Sequence, residues 1–530
     1  MRVLGLGGLD HNGAACLVER NQLRLFLEVE RVTRVKNQGL QNADTLGALL
    51  DRLTVTAVEH IAIADRTWFR MHSPWLLPWL RLRFPGASLS THHHHVCHLA
   101  AAFAASSRTR ATVVSVDGKG DGLSAAGGVA TRGTRPRVLW GVGSAHSLGR
   151  LWWAASEYAG LPGHHAAGKA MALAGYGEPV FLEQLARRCT MAPGGAFRFS
   201  DLGEHPDLFR QVPRIVEWMS RLTGTPRADD QPAKAHRDMA ASVQAFTEDV
   251  IANCVGATIA RTGVRDVCLA GGVALNGLAN QRLLDRGVVD TLLVPPWTDD
   301  RGLAVGAAAL AVHSHGIPLE PIEGAVAPFL GPEPEPWTGF DAEFGREVRG
   351  DDAFAELVQR IIRGEVVGWF EGRDEAGPRA LGHRSVLATP TKESVRARLN
   401  GSIKRREPWR PFGCSISRER VCEWFELDDD SPFMLRIVRA REHCRARIPA
   451  ALHVDGTSRL HTVTHRSSPR LARLLEALRL AGHPPLLVNT SMNGRGAPLV
   501  HRASEAFTFA RESSLDALVL DDVLYTRGTP

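Results

Sequence analysis

The sequence predicts an α/β protein of two domains, with room for a third, and three observations predict it. Short apolar or β-branched runs end in glycine-rich turns that hand over to alanine-rich helical stretches, the alternation expected of α/β folds. At 530 residues the chain exceeds what one hydrophobic core supports. Residues 331–352 set Pro332, Pro334 and Pro336 among acids and glycines, the strongest linker signal in the chain. The division that follows is a first domain over 1–335, a linker over 336–352 and a second domain over 353–530.

Taken in order, residues 1–8 and 14–18 read as buried strands around a glycine-rich turn, and 23–29 continues the hairpin pattern. Residues 99–106 are alanine-rich and helical in character. The β-branched run 112–116 leads into Asp117-Gly118-Lys119-Gly120-Asp121-Gly122, which puts an acid and flexible backbone at a strand's end. Strand 267–270 enters Gly271-Gly272-Val273-Ala274-Leu275-Asn276, after which 277–284 opens a helix; such a turn suits a nucleotide or phosphate. A small-residue helix follows over 304–311. Beyond the linker, 366–370, 486–488 and 518–520 are strand-like and 468–481 is helical, a second α/β unit. No short repeat is visible.

Composition narrows the function classes. The 63 Lys and Arg are dispersed among 57 Asp and Glu, so the formal charge of +6 arises without a basic track, and no nucleic-acid partner is expected. Anionic small substrates account for the surplus equally well. None of the eight cysteines forms a Cys-x-x-Cys pair, which argues against a zinc ribbon and for a reduced cytoplasm. Residues 1–20 lack the ordered parts of a signal peptide, and no apolar run is long enough for a membrane span, so no membrane partner is expected.

Two clusters carry the chemistry. His94 and His98 fall one helical turn apart, so their imidazoles can meet at one ion, with Asp117 and Asp300 as candidate carboxylates from other segments. Imidazole and carboxylate donors without thiolate suit Fe(II), Mn(II) or Zn(II). On spacing alone, a solvated histidine tract and ordinary turn acids fit as well. Downstream, Gly377-Pro378-Arg379-Ala380-Leu381-Gly382 and Lys404-Arg405-Arg406-Glu407-Pro408-Trp409-Arg410-Pro411 set cations beside Gly, Pro and apolar positions, which reads as an anion pocket and not a solvated face.

Long motifs in order extend these clusters over nearly the whole chain. They include Asp10-His11-Asn12-Gly13, Glu28 to Lys36, the histidine cluster, Gly168-Lys169-Ala170-Met171, Gly271 to Asn276, Asp300-Arg301-Gly302, Glu375 to Ser385, His453 to Arg459 and Asn489-Thr490-Ser491-Met492-Asn493. In these the chain resembles the bacterial O-carbamoyltransferases of nodulation-factor, cephalosporin and tobramycin type, which implies an antibiotic-tailoring member, and the abundance of Arg, Ala and Gly over Lys suggests a high-GC bacterial gene.

The resemblance implies an N-terminal ASKHA domain (actin- and Hsp70-like, as in the tRNA threonylcarbamoyl transferases) and a C-terminal YrdC-like α/β domain. It implies that the C-terminal domain converts ATP and carbamoyl phosphate, with Mg²⁺, to carbamoyl-adenylate through Arg379, Lys404, Arg410 and Arg459, with Asn489 and Ser491 as hydrogen-bonding groups. The N-terminal domain would then pass the carbamoyl group to a hydroxyl at a metal, Fe²⁺ or else Mn²⁺ or Zn²⁺, held by His94, His98, Asp117 and Asp300. His11 would act as general base, and Gly271, Gly272 and Asn276 would line the adenylate. Lys169 and Arg31 would be phosphate partners or members of core salt bridges.

Asn12, Ala167 and Gly413-Cys414 depart from the family pattern, which bears on fine positioning near Lys169 more than on the reaction class. Trp68, Phe69, Trp75, Trp79 and Phe84, broken by Pro74 and Pro78, suggest an apolar acceptor wall suited to a macrolide, polyketide or its sugar. The same stretch fits a buried packing segment or a homodimer contact equally well. The rival readings are a tRNA threonylcarbamoyl-type enzyme, which needs an RNA track, a hydrogenase-maturation enzyme, which needs zinc ribbons, and a non-catalytic nucleotide-binding regulator.

Overall fold

The computed structural model describes the chain except residues 201, 203–207, 230, 323–327, 340, 342 and 528–530. It divides into two compact units: Met1–Arg24, Gly39–Leu46 and Val55–Ile322 form the first, and Leu25–Gln38, Gly47–Thr54 and Glu323–Pro530 form the second. The architecture is mixed α/β. Among the described residues no helix is long and apolar enough to cross a membrane.

The first sheet contains β1 (Arg2–Gly7), β2 (Ala14–Glu19), β3 (Gln22–Glu28), β4 (His60–Ile63) and β5 (Ser88–Thr91) in the order β3-β2-β1-β4-β5. β1 runs antiparallel to β2, with Leu4 opposite Leu17, and parallel to β4, with Leu4 opposite Ile61. A second sheet contains β6 (Arg110–Gly120), β7 (Leu123–Thr131), β8 (Arg137–Gly143), β11 (Asp266–Ala270) and β12 (Thr291–Leu293); β9 (Cys189–Met191) and β10 (Phe197–Phe199) form a separate ribbon. Read from the far edge, its order is β8-β7-β6-β11-β12, again three antiparallel strands followed by two parallel ones. The repeat of one sheet topology is the arrangement that the ASKHA expectation requires.

Small residues let one helix close on both the first sheet and a second helix. Helix Leu303–Ser314 is buried from Leu303 to Val312 and packs on β1 and on helix His94–Ala104, which is buried throughout. A Cβ on Gly5 would lie 2.2 Å from the Ala304 carbonyl oxygen, and one on Gly306 would lie 2.0 Å from that of Cys97. The helix expected over 99–106 therefore begins earlier, at His94, and carries both histidines.

β6 also differs from expectation. It continues past Val116 through an irregularity between Val116 and Gly120 and turns into β7 at Asp121 and Gly122, both at positive φ. A bulge re-aims the side chain it carries, here Asp117. The sequence reading missed the 29-residue helix Lys234–Thr262, because Asp238, Ser242, Gln244, Thr247 and Thr258 are buried on it and erase its amphipathic stripe.

The second unit is built on one nine-stranded sheet of β13 (Arg346–Arg349), β14 (Val367–Phe370), β15 (Arg384–Ala388), β16 (Gly413–Ser417), β17 (Arg436–Arg439), β18 (Thr457–Val463), β19 (Leu486–Ser491), β20 (Ala517–Leu520) and β21 (Val523–Thr526). Their order is β13-β21-β20-β14-β15-β19-β16-β18-β17. Helices Gly350–Arg363 and Pro469–Leu480 contribute to one apolar core and helix Ala503–Glu512 to another.

Gly306→Ala separates the helices that carry the histidines and Asp300. Overpacking costs about 1–3 kcal/mol, against at most about 1 kcal/mol gained in helix propensity, so calorimetry should show a lower melting temperature for the variant.

Candidate metal and anion sites

In the first unit, three segments bring four donors together. His94 and His98 come from the first two turns of one helix, Asp117 from the β6 bulge, and Asp300 from the short turn that starts helix Leu303–Ser314. All four are buried, and one donor atom from each lies within 4.8 Å of the others. His94 Nε2 is 3.3 Å from Asp117 Oδ2 and 3.8 Å from Asp300 Oδ1, and His98 Nε2 is 4.0 and 3.3 Å from the same two oxygens. Donors about 2.1 Å from a shared ion stand up to about 4.2 Å apart, so a small contraction closes this group on one metal.

Two further observations fit a metal. Both ring nitrogens of His98 are buried without a hydrogen-bond partner among the described residues, a cost that ligation removes. His94 Nδ1 lies 2.5 Å from Asp65 Oδ1, which directs Nε2 toward the other donors, the carboxylate–histidine arrangement that orients a ligand imidazole. Burial alone would lower the His94 pKa, yet Asp65, Asp300 and Asp117 raise it well above the ordinary value. Burial also opposes ionisation of Asp117, but the hydrogen bond from His94 and its positive neighbours hold the carboxyl far below the usual range. His95, one residue along the helix, bonds Ser115 Oγ at 2.8 Å, and burial keeps it neutral.

His11 Nε2 is 3.5 Å from Asp300 Oδ2, so the expected base stands at the edge of the metal group and is partly exposed. Burial would lower its pKa, but Asp300, Asp117, Asp10 and Asp65 raise it. The aromatic segment is tied to the same place: Asp65 precedes helix Arg66–His72, and Asp121 accepts from the backbone of Arg66, Thr67 and His94. Trp68, Phe69, Trp75 and Trp79 are half-buried, while Met71 and Leu82 are exposed.

The glycine turn adjoins the same donor group. Gly271 takes φ +92°, and the Gly272 N–H donates to Asp117 Oδ1 at 2.7 Å, so this turn orients a candidate metal ligand. Asn276 caps helix Gly277–Asp285 through Ala279 N and exchanges hydrogen bonds with Gln244. Lys169 lies half-buried on helix Ala167–Ala174.

In the second unit the expected cations converge around β16. Gly413 stands in register between Arg459 on β18 and Asn489 on β19. Lys404 is buried, and its Nζ donates to the Ser491 carbonyl at 2.7 Å, Ser491 Oγ at 3.1 Å, the Asn493 carbonyl at 2.8 Å and Asn493 Oδ1 at 2.6 Å. Burial, then the neighbouring Arg406, Lys36 and Arg410, push its pKa well down. Burial and the charges of Arg379, Arg406 and Arg410 do the same to Arg459, and Arg406 falls to about 9 through burial and Arg410. Glu407 faces Arg410 at 3.5 Å, but burial still outweighs it. Asn489 Nδ2 donates to Ser415 Oγ at 2.8 Å, while its Oδ1 has no partner among the described residues. Lys404 is buried and Arg379, Arg406, Arg410 and Arg459 are half-buried, a concentration of cations suited to a polyanion.

The structure thus gathers Arg379, Lys404, Arg410, Arg459, Asn489 and Ser491 in one unit and His11, His94, His98, Asp117 and Asp300 in the other. Sequence reasoning did not assign Asp65, Arg406 or Asn493. Asp65 sits outside any motif; Arg406 and Asn493 lie inside quoted motifs, and only their contacts reveal what they hold.

The family described as Carbamoyltransferase N-terminus matches residues 80–309, and Carbamoyltransferase C-terminus matches 358–527. The nodulation protein NolO of Bradyrhizobium diazoefficiens is 34% identical over 82% of this chain and 78% of its own length. NolNO of Sinorhizobium fredii is 31% identical over 98% and 79%. The 3'-hydroxymethylcephem-O-carbamoyltransferase of Streptomyces clavuligerus is 33% identical over 49% and 48%. Among solved structures, HypF of T. kodakarensis overlaps 60% of this chain and 48% of its own at 13% identity and a TM-score of 0.35. The strand order, and not this loose overlap, carries the fold assignment.

Asp65→Ala should weaken binding of Fe(II), Mn(II) or Zn(II) about 10- to 100-fold in a titration of metal-stripped protein. Unchanged affinity for all three would remove Asp65 from the account.

Proposed function

The chain belongs to the carbamoyltransferase family, and from that premise we propose an ATP-dependent O-carbamoyltransferase that works in two stages. In the first, ATP, carbamoyl phosphate and one water give carbamoyl-adenylate, pyrophosphate and phosphate. In the second, an acceptor hydroxyl takes the carbamoyl group and AMP leaves. The observation that carries this reading is the partly buried cation group of the second unit, where Arg459 has Arg379, Arg406 and Arg410 as its charged neighbours.

Two phosphate-bearing substrates are complementary to this concentration of positive charge. Guanidinium groups hold phosphate oxygens in pairs of hydrogen bonds, and Lys404 supplies a point charge whose position Ser491 and Asn493 fix. Mg²⁺ accompanies the ATP. Charge developing on the transferred and departing phosphates is then neutralised by groups already in place, with no covalent enzyme intermediate. We assign this stage to the second unit, in the role expected of a YrdC-like domain.

In the first unit, His94, His98, Asp117 and Asp300 would hold a divalent ion, Fe²⁺ or else Mn²⁺ or Zn²⁺. When bound, it supplies Lewis acidity at the carbamoyl carbonyl and a fixed point for the phosphate. Asp65 holds the His94 imidazole in place, and the Gly272 N–H does the same for Asp117. His11 takes the acceptor's hydroxyl proton at Nε2, and Asp300 stabilises the imidazolium that results. The half-buried aromatic residues of 68–79 supply a wall for the acceptor, for which we propose a hydroxylated natural product such as a macrolide, another polyketide or its sugar.

Mass spectrometry after incubation with ATP, Mg²⁺, carbamoyl phosphate and a panel of hydroxylated antibiotics should find AMP and an acceptor heavier by one carbamoyl group. Arg459→Ala should give neither. ATP turnover no greater than in that control would overturn the reading. Trp79→Ala should raise the acceptor KM several-fold with ATP kinetics unchanged, whereas an unaltered acceptor KM in the folded variant removes the aromatic wall.

A further inference from the structure

The cation group of the second unit depends on two loops without regular structure, 375–383 and 492–501. Arg379 sits on the first. Asn493, which with Ser491 holds the Lys404 ammonium, sits on the second. A short stretch from near the start of the chain, part of the same compact unit, grips both.

Glu28 and Arg31 are almost wholly buried and pair with each other, Arg31 Nε donating to Glu28 Oε2 at 3.0 Å. Each side chain also bonds the first loop. Glu28 Oε1 accepts from the Gly377 N–H at 2.7 Å, and Arg31 Nη2 donates to the Gly377 carbonyl at 3.0 Å and the Glu375 carbonyl at 3.4 Å. Both backbone polar groups of Gly377, a residue at φ +90°, are thus held by one ion pair two positions before Arg379. Glu375 fixes the far side, its Oε1 accepting from Leu381, His383 and Arg384 at 2.9, 3.3 and 3.0 Å. Arg34 holds the second loop, with Nη1 donating to the Leu499 carbonyl at 2.6 Å and Nη2 to that of Pro498 at 3.2 Å. Asn493 Nδ2 donates to the Ala497 carbonyl at 2.6 Å within the same loop.

A buried ion pair is a poor device for stability, since apolar residues of similar volume do as well. What Glu28 and Arg31 offer that an apolar pair cannot is an acceptor and a donor for the loop backbone. Resting on the anion-site reading above, we propose that Glu28, Arg31 and Arg34 are positioning residues for the phosphate-binding group. They set the loops that carry Arg379 and Asn493 and contact no substrate themselves. Binding in the second unit therefore depends on side chains about 350 residues upstream, outside the expected 353–530 domain.

The test titrates inorganic pyrophosphate into the full-length protein and into Arg31→Lys, Arg34→Ala, Arg379→Ala and the double variant Arg31→Lys with Arg379→Ala. Arg31→Lys keeps the charge opposite Glu28 but loses the planar fork, and should weaken pyrophosphate about ten-fold, a typical effect of an orienting partner. Because it acts through the Arg379 loop, the double variant should bind no more weakly than Arg379→Ala alone. Wild-type affinity in Arg31→Lys, or losses that multiply in the double variant, overturns the proposal while leaving the anion site standing. If Arg31→Lys does not fold, the half-exposed Arg34→Ala carries the test and must also lose about ten-fold. Failure of the wild type to bind pyrophosphate sinks the anion-site reading, and the positioning role with it.

Discussion

Repulsion among closely gathered, partly buried cations is the constraint on which the second unit is organised. Arg379, Arg406 and Arg410 act on half-buried Arg459, and the buried Lys404 adds a fifth cation. Like charges at such separations destabilise the empty fold unless hydrogen-bond acceptors and sheet register hold them in place. Gly413 gives the backbone clearance between Arg459 and Asn489, the 491–493 carbonyls and side chains take the Lys404 ammonium, and Glu407 offsets Arg410. The cost of the arrangement falls on the loops that must keep the cations in place.

The first unit meets the opposite problem, two buried carboxylates, with a different solution. Their charge is offset by the histidines one turn apart, and the donors converge because glycines let helix Leu303–Ser314 approach both β1 and helix His94–Ala104. The bulge in β6 turns Asp117 into the group, and the Gly271-Gly272 turn fixes that carboxylate by a backbone N–H. Packing and site are here one construction, so a change in helix spacing alters the ligand geometry directly.

Much of this was legible in the sequence, for reasons that differ by residue. His94 and His98 announce themselves because i,i+4 spacing on a helix is a local property, and the cations beside Gly and Pro do so because a solvated face has a different texture. Asp65 was invisible: a lone acid after a strand carries no signal until the fold sets it against His94. Gly271 and Gly272 were legible as a tight turn, but their contact with Asp117 was not, since it spans 155 residues of sequence. The long helix Lys234–Thr262 escaped because buried polar residues mask its periodicity, and the membership of Leu25–Gln38 in the second unit cannot be read from any local pattern.

The central claim is that activation belongs to the cation group and transfer to the metal group. It is tested most directly by carbamoyl phosphate-dependent exchange of labelled pyrophosphate into ATP, which needs no acceptor, compared between Arg459→Ala and Asp300→Asn. The account predicts that Arg459→Ala loses the exchange and that Asp300→Asn retains it. Exchange surviving in Arg459→Ala, or abolished in folded Asp300→Asn, would contradict it.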